Sequence, residues 1–213
     1  MQPWGTRSSG SATRTFEAMN RLGSAGTPFL FVIDYEMLRP LVYPIVDLER
    51  AGIGAVIDGS HYGETPTRRL PQTIKLDVFP MPYERYFEAF QSLHRHFVLG
   101  NSYLANLTFP TRIETNLSLD QLFGLATARY KLKVRESFVC YSPESFVTIE
   151  GDTIASFPMK GTIDADLPNA EEILLADEKE KAEHVTIVDL IRNDIGMIAR
   201  SVEVPQFRYI DLI

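Results

Sequence analysis

The sequence predicts an α+β fold, and three observations lead there. Strand-length apolar runs occur at "PFLFVIDYE" (28–36), "GAVIDG" (54–59) and "TIKLDVFP" (73–80), and more follow after Glu136. Two longer segments, 82–100 and 178–200, carry apolar residues at helical spacing. With 213 residues, 45% hydrophobic and 23% charged, the composition is that of an ordinary globular protein. At this length folding buries roughly 70% of the unfolded chain's surface, so a core can form without stapling.

In chain order, residues 1–27 read as a partly disordered leader ending in a short helix over 13–22. The opening "MQPWGTRSSGSATRTF" is rich in Ser, Thr and Arg with no acid before Glu17, and it lacks the apolar core of a secretory signal. Residues 28–213 form one domain, since no repeat or low-complexity linker divides them. After the runs at 28–36 and 54–59, residues 59–72 read as a loop, rich in Gly, Pro, Thr and Arg. Tyr86, Phe87, Phe90, Leu93 and Phe97 define the apolar face of a helix that stops at Gly100. Two residues apart on that helix, His94 and His96 point about 200° away from each other, which excludes a metal pair and leaves solvated or capping roles. "NSYLANLTF" (101–109) alternates like a strand, and "SLDQLFGLATA" (118–128) opens on a Ser N-cap with leucines at helical spacing.

From Glu136, "ESFVCYSPESFVTIEGDTIASFPMKGT" holds three strand-like pieces. Gly151-Asp152, flanked by Phe146, Val147, Ile149 and by Ile154, Ala155, Phe157, is a hairpin signal. A two-residue loop pairs Glu150 with Thr153 and sets Glu144 opposite Met159, with Lys160 one step on. A three-residue loop pairs Ile149 with Thr153 and brings Glu144 and Lys160 to one side. Either register delivers a carboxylate and an amine to the same end of one hairpin.

Lys160 follows a buried-type strand and precedes Gly161 and Thr162. In a partly desolvated pocket its pKa would fall and the neutral amine would serve as a nucleophile or base; in water it would be an ordinary strand-end lysine. Gly161 permits close backbone approach and Thr162 adds a hydroxyl, which suit a ligand oxygen or a plain turn. In the helix over 178–200, Val188, Ile191, Ile195 and Ile198 form an apolar stripe bordered by Glu183 and Asp194. Glu180 and Glu183, three apart, repel unless a cation lies between them: a metal ion, or Lys179 and Lys181, as on a solvated face.

Charge and cysteine content exclude several classes. A net charge of −7 argues against nucleic acid or an anionic membrane as a partner. No apolar stretch reaches the roughly 20 residues of a membrane span. The single cysteine, Cys140, excludes an internal disulfide and a multi-thiolate metal site; its apolar neighbours predict a packed thiol in a reducing cytoplasm.

"SPESF", "PMKGT" and "KEKAEHVTIVDLIRNDIG", in this order, resemble the chorismate-utilising enzymes, most closely the aminodeoxychorismate synthase component I branch. "PFLFVIDYE" and "GNSYLANLTF" are similar to that family's earlier segments. The resemblance implies β-sheets covered by helices, with 28–213 the N-terminal part of a chorismate-binding catalytic domain. It implies that Lys160 attacks ring carbon C2 of chorismate and that Glu144 protonates the departing C4 hydroxyl. Sister branches typically carry alanine at the lysine's place. Glu183 matches a magnesium ligand, Glu180 a further acid near the metal, and Gly161 and Thr162 residues lining the substrate site. Mg2+ is thus the implied cofactor, with chorismate and ammonia from a glutaminase subunit as partners. His184 and Met197 depart from the family's usual asparagine and arginine. The family continues beyond "SVEVPQFRYIDLI", so the sequence is expected to be incomplete, with that last stretch an unpaired edge strand. Apolar faces of the hairpin and of the 178–200 helix would then be exposed and favour self-association.

Overall fold

The structure, a computed structural model, describes residues 11–66, 69–102, 104–142, 144–159 and 161–212. The chain opens with α1 (Ser11–Ser24), β1 (Phe29–Val32) and β2 (Leu41–Pro44), followed by a short 3-10 turn and then β3 (Ile53–Ile57), β4 (Ser60–Gly63) and β5 (Leu76–Phe79). Next come α2 (Tyr83–Val98), β6 (Arg112–Thr115), α3 (Leu119–Leu125), β7 (Tyr130–Val134) and β8 (Phe138–Ser142). The last elements are β9 (Thr148–Glu150), β10 (Thr153–Ala155), α4 (Ala170–Ala176) and α5 (Glu178–Gly196). The fold is α+β, and every strand pair is antiparallel. No helix among the described residues is long and apolar enough to cross a membrane.

The described residues divide into two compact units, one within Met1–Gln72 and Leu117–Pro143, the other within Thr73–Asn116 and Glu144–Ile213. The first holds a four-stranded sheet of order β4-β3-β7-β8 and the β1-β2 pair. Its core is Leu30, Leu48, Ile53, Ala55 and Val134. Ser118 and Gln121 close a reciprocal capping box at the start of α3, satisfying two otherwise unpaired N–H groups. Two lysines on one face of β7 hold that helix. Lys133 is buried, with Nζ 2.8 Å from Glu64 and 3.0 Å from Asp120 in the first turn of α3. Lys131 Nζ donates to the carbonyls of Phe123 and Ala126 at its other end.

The second unit contains β5 paired with β6, the β9-β10 hairpin, and α2, α4 and α5. Among the described residues, all the buried ones lie in the first unit, so this second one packs through half-buried side chains. Apolar residues beside the hairpin and within it, Phe146 and Ile149, and just after α5, Met197 and Ile198, are exposed.

Four expectations are corrected. The predicted loop over 59–72 begins with β4, because Asp58 and Gly59 both adopt positive φ and turn the chain so that Ser60 pairs with Ile57. Asp-Gly is a strong two-residue hairpin signal. The described residues of 101–109 form no strand; pairing starts at Arg112, opposite Phe79. Pro80 and Pro110 lack the N–H groups that would extend this ladder. Residues 201–212 are likewise not a strand. They are held through side chains, Arg208 donating to the carbonyls of Leu174 and Leu175 and His184 to that of Phe207. Cys140 is exposed, because β8 is an edge strand of its sheet.

Candidate functional site

The β9-β10 hairpin adopts the two-residue register, Glu150 opposite Thr153 and Thr148 opposite Ala155. Continued past the ladder, that register sets Glu144 opposite Met159, and the Met159 N–H donates to Glu144 Oε1 at 3.2 Å. Ser156 Oγ donates to the Phe146 carbonyl at 2.7 Å, securing the open end of the hairpin between these points. The backbone beyond β9 and β10 therefore fixes one carboxylate oxygen of Glu144. Lys160, the next residue after Met159 in the sequence, lies outside the described residues.

Two residues on, Gly161 has φ +73° and makes a close backbone approach. A Cβ on it would stand 2.9 Å from Leu174 Cδ1 of α4 and 3.0 Å from Glu180 Oε2 of α5. Gly161 is thus pressed against a carboxylate oxygen, a contact that no side chain larger than hydrogen leaves undisturbed. Thr162, beside it, is exposed. The sequence signal for helix α4, which carries Leu174, is "NAEEILLAD", with helix-forming Ala, Glu and Leu residues and an Asp before the next helix.

α5 begins at Asp177, whose side chain accepts from the Glu180 N–H at 3.0 Å. This N-cap sets the phase of the helix and places Glu180 in a first turn where the helix dipole favours negative charge. Glu180, Glu183, His184, Ile187, Val188, Ile191 and Ile195 share its half-buried face, whereas Asp194 is exposed. The side chains of Glu180 and Glu183 are only 19% and 30% exposed, against 82% for Glu178 in the same turn. The two acids therefore belong to the packed face of the helix rather than to a solvated charge run.

A cation lies between them. Lys179 Nζ is 2.8 Å from Glu180 Oε1 and 3.1 Å from Glu183 Oε1. The hydrogen bond to Glu180, then that to Glu183, holds this ammonium charged well above the ordinary lysine range. Lys181 pairs instead with Glu178, at 3.3 Å. No group of three or more His, Cys, Asp or Glu side chains is placed to hold a metal ion among the described residues. Two carboxylate oxygens converging on one cation nevertheless fit a hard ion such as Mg2+, which takes one or two protein carboxylates and completes its shell with water and substrate oxygens.

The acids thus form a connected path: Glu144 on the Met159 N–H, Gly161 two residues further on, Glu180 against Gly161, and Glu183 joined to Glu180 through Lys179. Beside Glu183, His184 stacks edge-on against Phe207, with ring centroids 5.2 Å apart.

Comparison with known proteins sets this arrangement in context. Residues 53–211 match the family described as chorismate binding enzyme. The chain is 46% identical over 197 residues to a Haemophilus influenzae protein named an uncharacterized PabA-like protein, covering 92% of this chain and 60% of that one. It is 46% identical over 83 residues to anthranilate synthase component 1 of Arthrobacter globiformis, 35% of this chain and 15% of that one. With aminodeoxychorismate synthase component 1 of Bacillus subtilis it shares 29% identity over 157 residues, 66% of this chain and 33% of that one. The chain therefore spans 60% of the length of the Haemophilus relative. No solved structure gives a significant match.

Proposed function

Because this chain belongs to the chorismate binding enzyme family, we propose that it is an aminodeoxychorismate synthase component I chain, joining ammonia and chorismate to give 4-amino-4-deoxychorismate. The observation that carries this reading is the hydrogen bond from the Met159 N–H to Glu144. It anchors a carboxyl group against the strand end whose next residue is Lys160, the residue that separates this branch from its sisters by resemblance. The similarity to an aminodeoxychorismate synthase component 1 points the same way.

In the proposed reaction the neutral Lys160 amine forms a bond to ring carbon C2, and the C4 hydroxyl departs as water with a proton from Glu144. Ammonia then bonds to C4 as the C2–N bond breaks, so that the lysine leaves as the free amine and the surplus proton on the new ammonium returns to Glu144. Glu144 accepts the Met159 N–H at Oε1, which orients the carboxyl group for proton transfer. Gly161 and Thr162 line the substrate, Gly161 by letting the backbone pass close to Glu180. Glu180 and Glu183 would hold Mg2+, which when bound supplies charge stabilisation to a substrate carboxylate. A glutaminase subunit would supply the ammonia in a cytoplasmic setting.

Similarity to anthranilate synthase component 1 favours a second reading, in which the same acids serve ortho amination. Product analysis by liquid chromatography and mass spectrometry, with chorismate, Mg2+ and ammonium salt, separates the two. In a chain of the relatives' full length, 4-amino-4-deoxychorismate is expected when Lys160 is present and none from Lys160→Ala. Anthranilate as the product, or turnover unchanged in Lys160→Ala, would overturn the first reading.

A further inference from the structure

The seat between Glu180 and Glu183 already has an occupant that the chain supplies itself. Lys179 offers one ammonium to the Oε1 atoms of both acids, at 2.8 and 3.1 Å. Those are oxygens that a metal ion held by both acids would use. Magnesium binds carboxylate oxygen at about 2.0–2.1 Å, so an ion held by both acids would lie close to the Lys179 ammonium, and the two positive charges would repel each other.

The burial pattern shows how exchange can occur. Lys179 is 71% exposed while its two partners are largely covered, so the acids stay packed on the face of α5 and the lysine reaches them from the solvent side. A long exposed side chain leaves such a position at little cost. Asp177 holds the Glu180 backbone whether or not the lysine is present. With Lys179 in place the acid pair carries one net negative charge rather than two, which relieves the repulsion between carboxylates three residues apart on a helix.

We propose that Lys179 is a tethered competitor for the divalent cation, filling the Glu180–Glu183 seat when no metal is bound and swinging into solvent when the metal enters. This rests on the reading of Glu180 and Glu183 as metal ligands. It adds that the affinity of the site is set partly by a residue that never touches the metal. Lys179 keeps the acid pair compact in the metal-free chain, and in doing so raises the cation concentration needed to load it.

The test is direct binding of Mn2+, followed by electron paramagnetic resonance of the free ion, with Mg2+ competition, on the 213-residue chain and three variants. Circular dichroism checks that α5 is retained in each. Lys179→Met removes the charge at an exposed helix position that tolerates methionine and should tighten Mn2+ binding by about two- to fivefold, the scale of a surface ion pair lost. Lys179→Arg keeps a cation within reach and should bind no more tightly than the parent. Glu183→Gln should lose binding. If Lys179→Met binds as the parent does, or more weakly, while Glu183→Gln loses binding, competition by Lys179 is refuted and the metal site stands. If Glu183→Gln binds as the parent does, the metal assignment itself is refuted, and the competition with it.

Discussion

Substituting Gly161 with alanine separates two roles that this position combines. The first is conformational: at φ +73° an L-residue costs about 1–2 kcal/mol relative to glycine. The second is steric. The new Cβ would lie 2.9 Å from Leu174 Cδ1, 3.0 Å from Glu180 Oε2 and 3.1 Å from Glu180 Cγ. The leucine methyl and the carboxylate oxygen are side-chain tips and can turn away cheaply. Cγ lies closer to the helix, and moving it re-aims the whole carboxylate by a few tenths of an ångström. The expected loss of stability is therefore about 2–3 kcal/mol, the backbone cost plus a low-end overpacking penalty. The expected loss of divalent-cation affinity is about tenfold, the low end for disturbing the partners of a metal ligand.

Gly151 is the control, because it also has positive φ, +58°, but has nothing within 4 Å of where its Cβ would be. Gly151→Ala should lose about 1–2 kcal/mol in urea denaturation and bind Mn2+ as the parent does. Equal behaviour of the two variants in both assays would refute the idea that Gly161 is required by its approach to Glu180.

Glu144→Gln preserves an oxygen that can accept from the Met159 N–H, so it should bind chorismate normally and lower kcat by about 10²–10⁴, the contribution of a general acid. Glu183→Gln should instead raise the Mg2+ requirement for chorismate binding, and identical kinetic defects in both variants would refute separate roles. Lys133→Met removes the buried cation that Glu64 and Asp120 share and should cost about 2–3 kcal/mol in urea denaturation, less than a fully enclosed ion pair because both acids keep some exposure. Burial opposes the Lys133 charge, but the bonds to Glu64 and Asp120 outweigh it and raise the pKa above the ordinary 10.5. The stabilisation is then complete below that value and is lost as pH rises through the folded pKa, so the gap between parent and Lys133→Met should close only in strong alkali. A gap that closes near neutral pH would refute the assignment.

Much of the fold was legible because the deciding signals are local. Ser118 with Gln121 announced α3, and the apolar spacing over 82–100 announced α2, near whose end the His96 ring bonds the Asn101 side chain. Gly151-Asp152 announced the hairpin but left two registers, and only the ladder pairing Glu150 with Thr153 decides between them. β4 is hidden in a loop-like composition, and its one signal is the Asp58-Gly59 turn that pairs Ser60 with Ile57. The strands expected at 101–109 and 201–212 failed for a different reason: alternation shows only that a segment could pair. Whether it does depends on a partner with free N–H groups, and Pro80 and Pro110 deny one at the first place while Arg208 and His184 claim carbonyls at the second.

The acid pair was the least legible feature, since a first helical turn rich in Glu and Lys is ordinarily a solvated one. Helical phase decides the matter, and phase is set by the cap. Once Asp177 takes the Glu180 N–H, the residues 3, 4, 7, 8, 11 and 15 positions after Glu180 fall on one half-buried face. Glu183 and His184 are carried there with Ile187, Val188, Ile191 and Ile195, while Glu178, Lys179 and Lys181 are turned outward. A lysine on the outer side can still bend its ammonium back over the edge of that face, which is what Lys179 does. The aspartate before the first turn of α5 thus fixes both the two packed acids and the lysine that covers them.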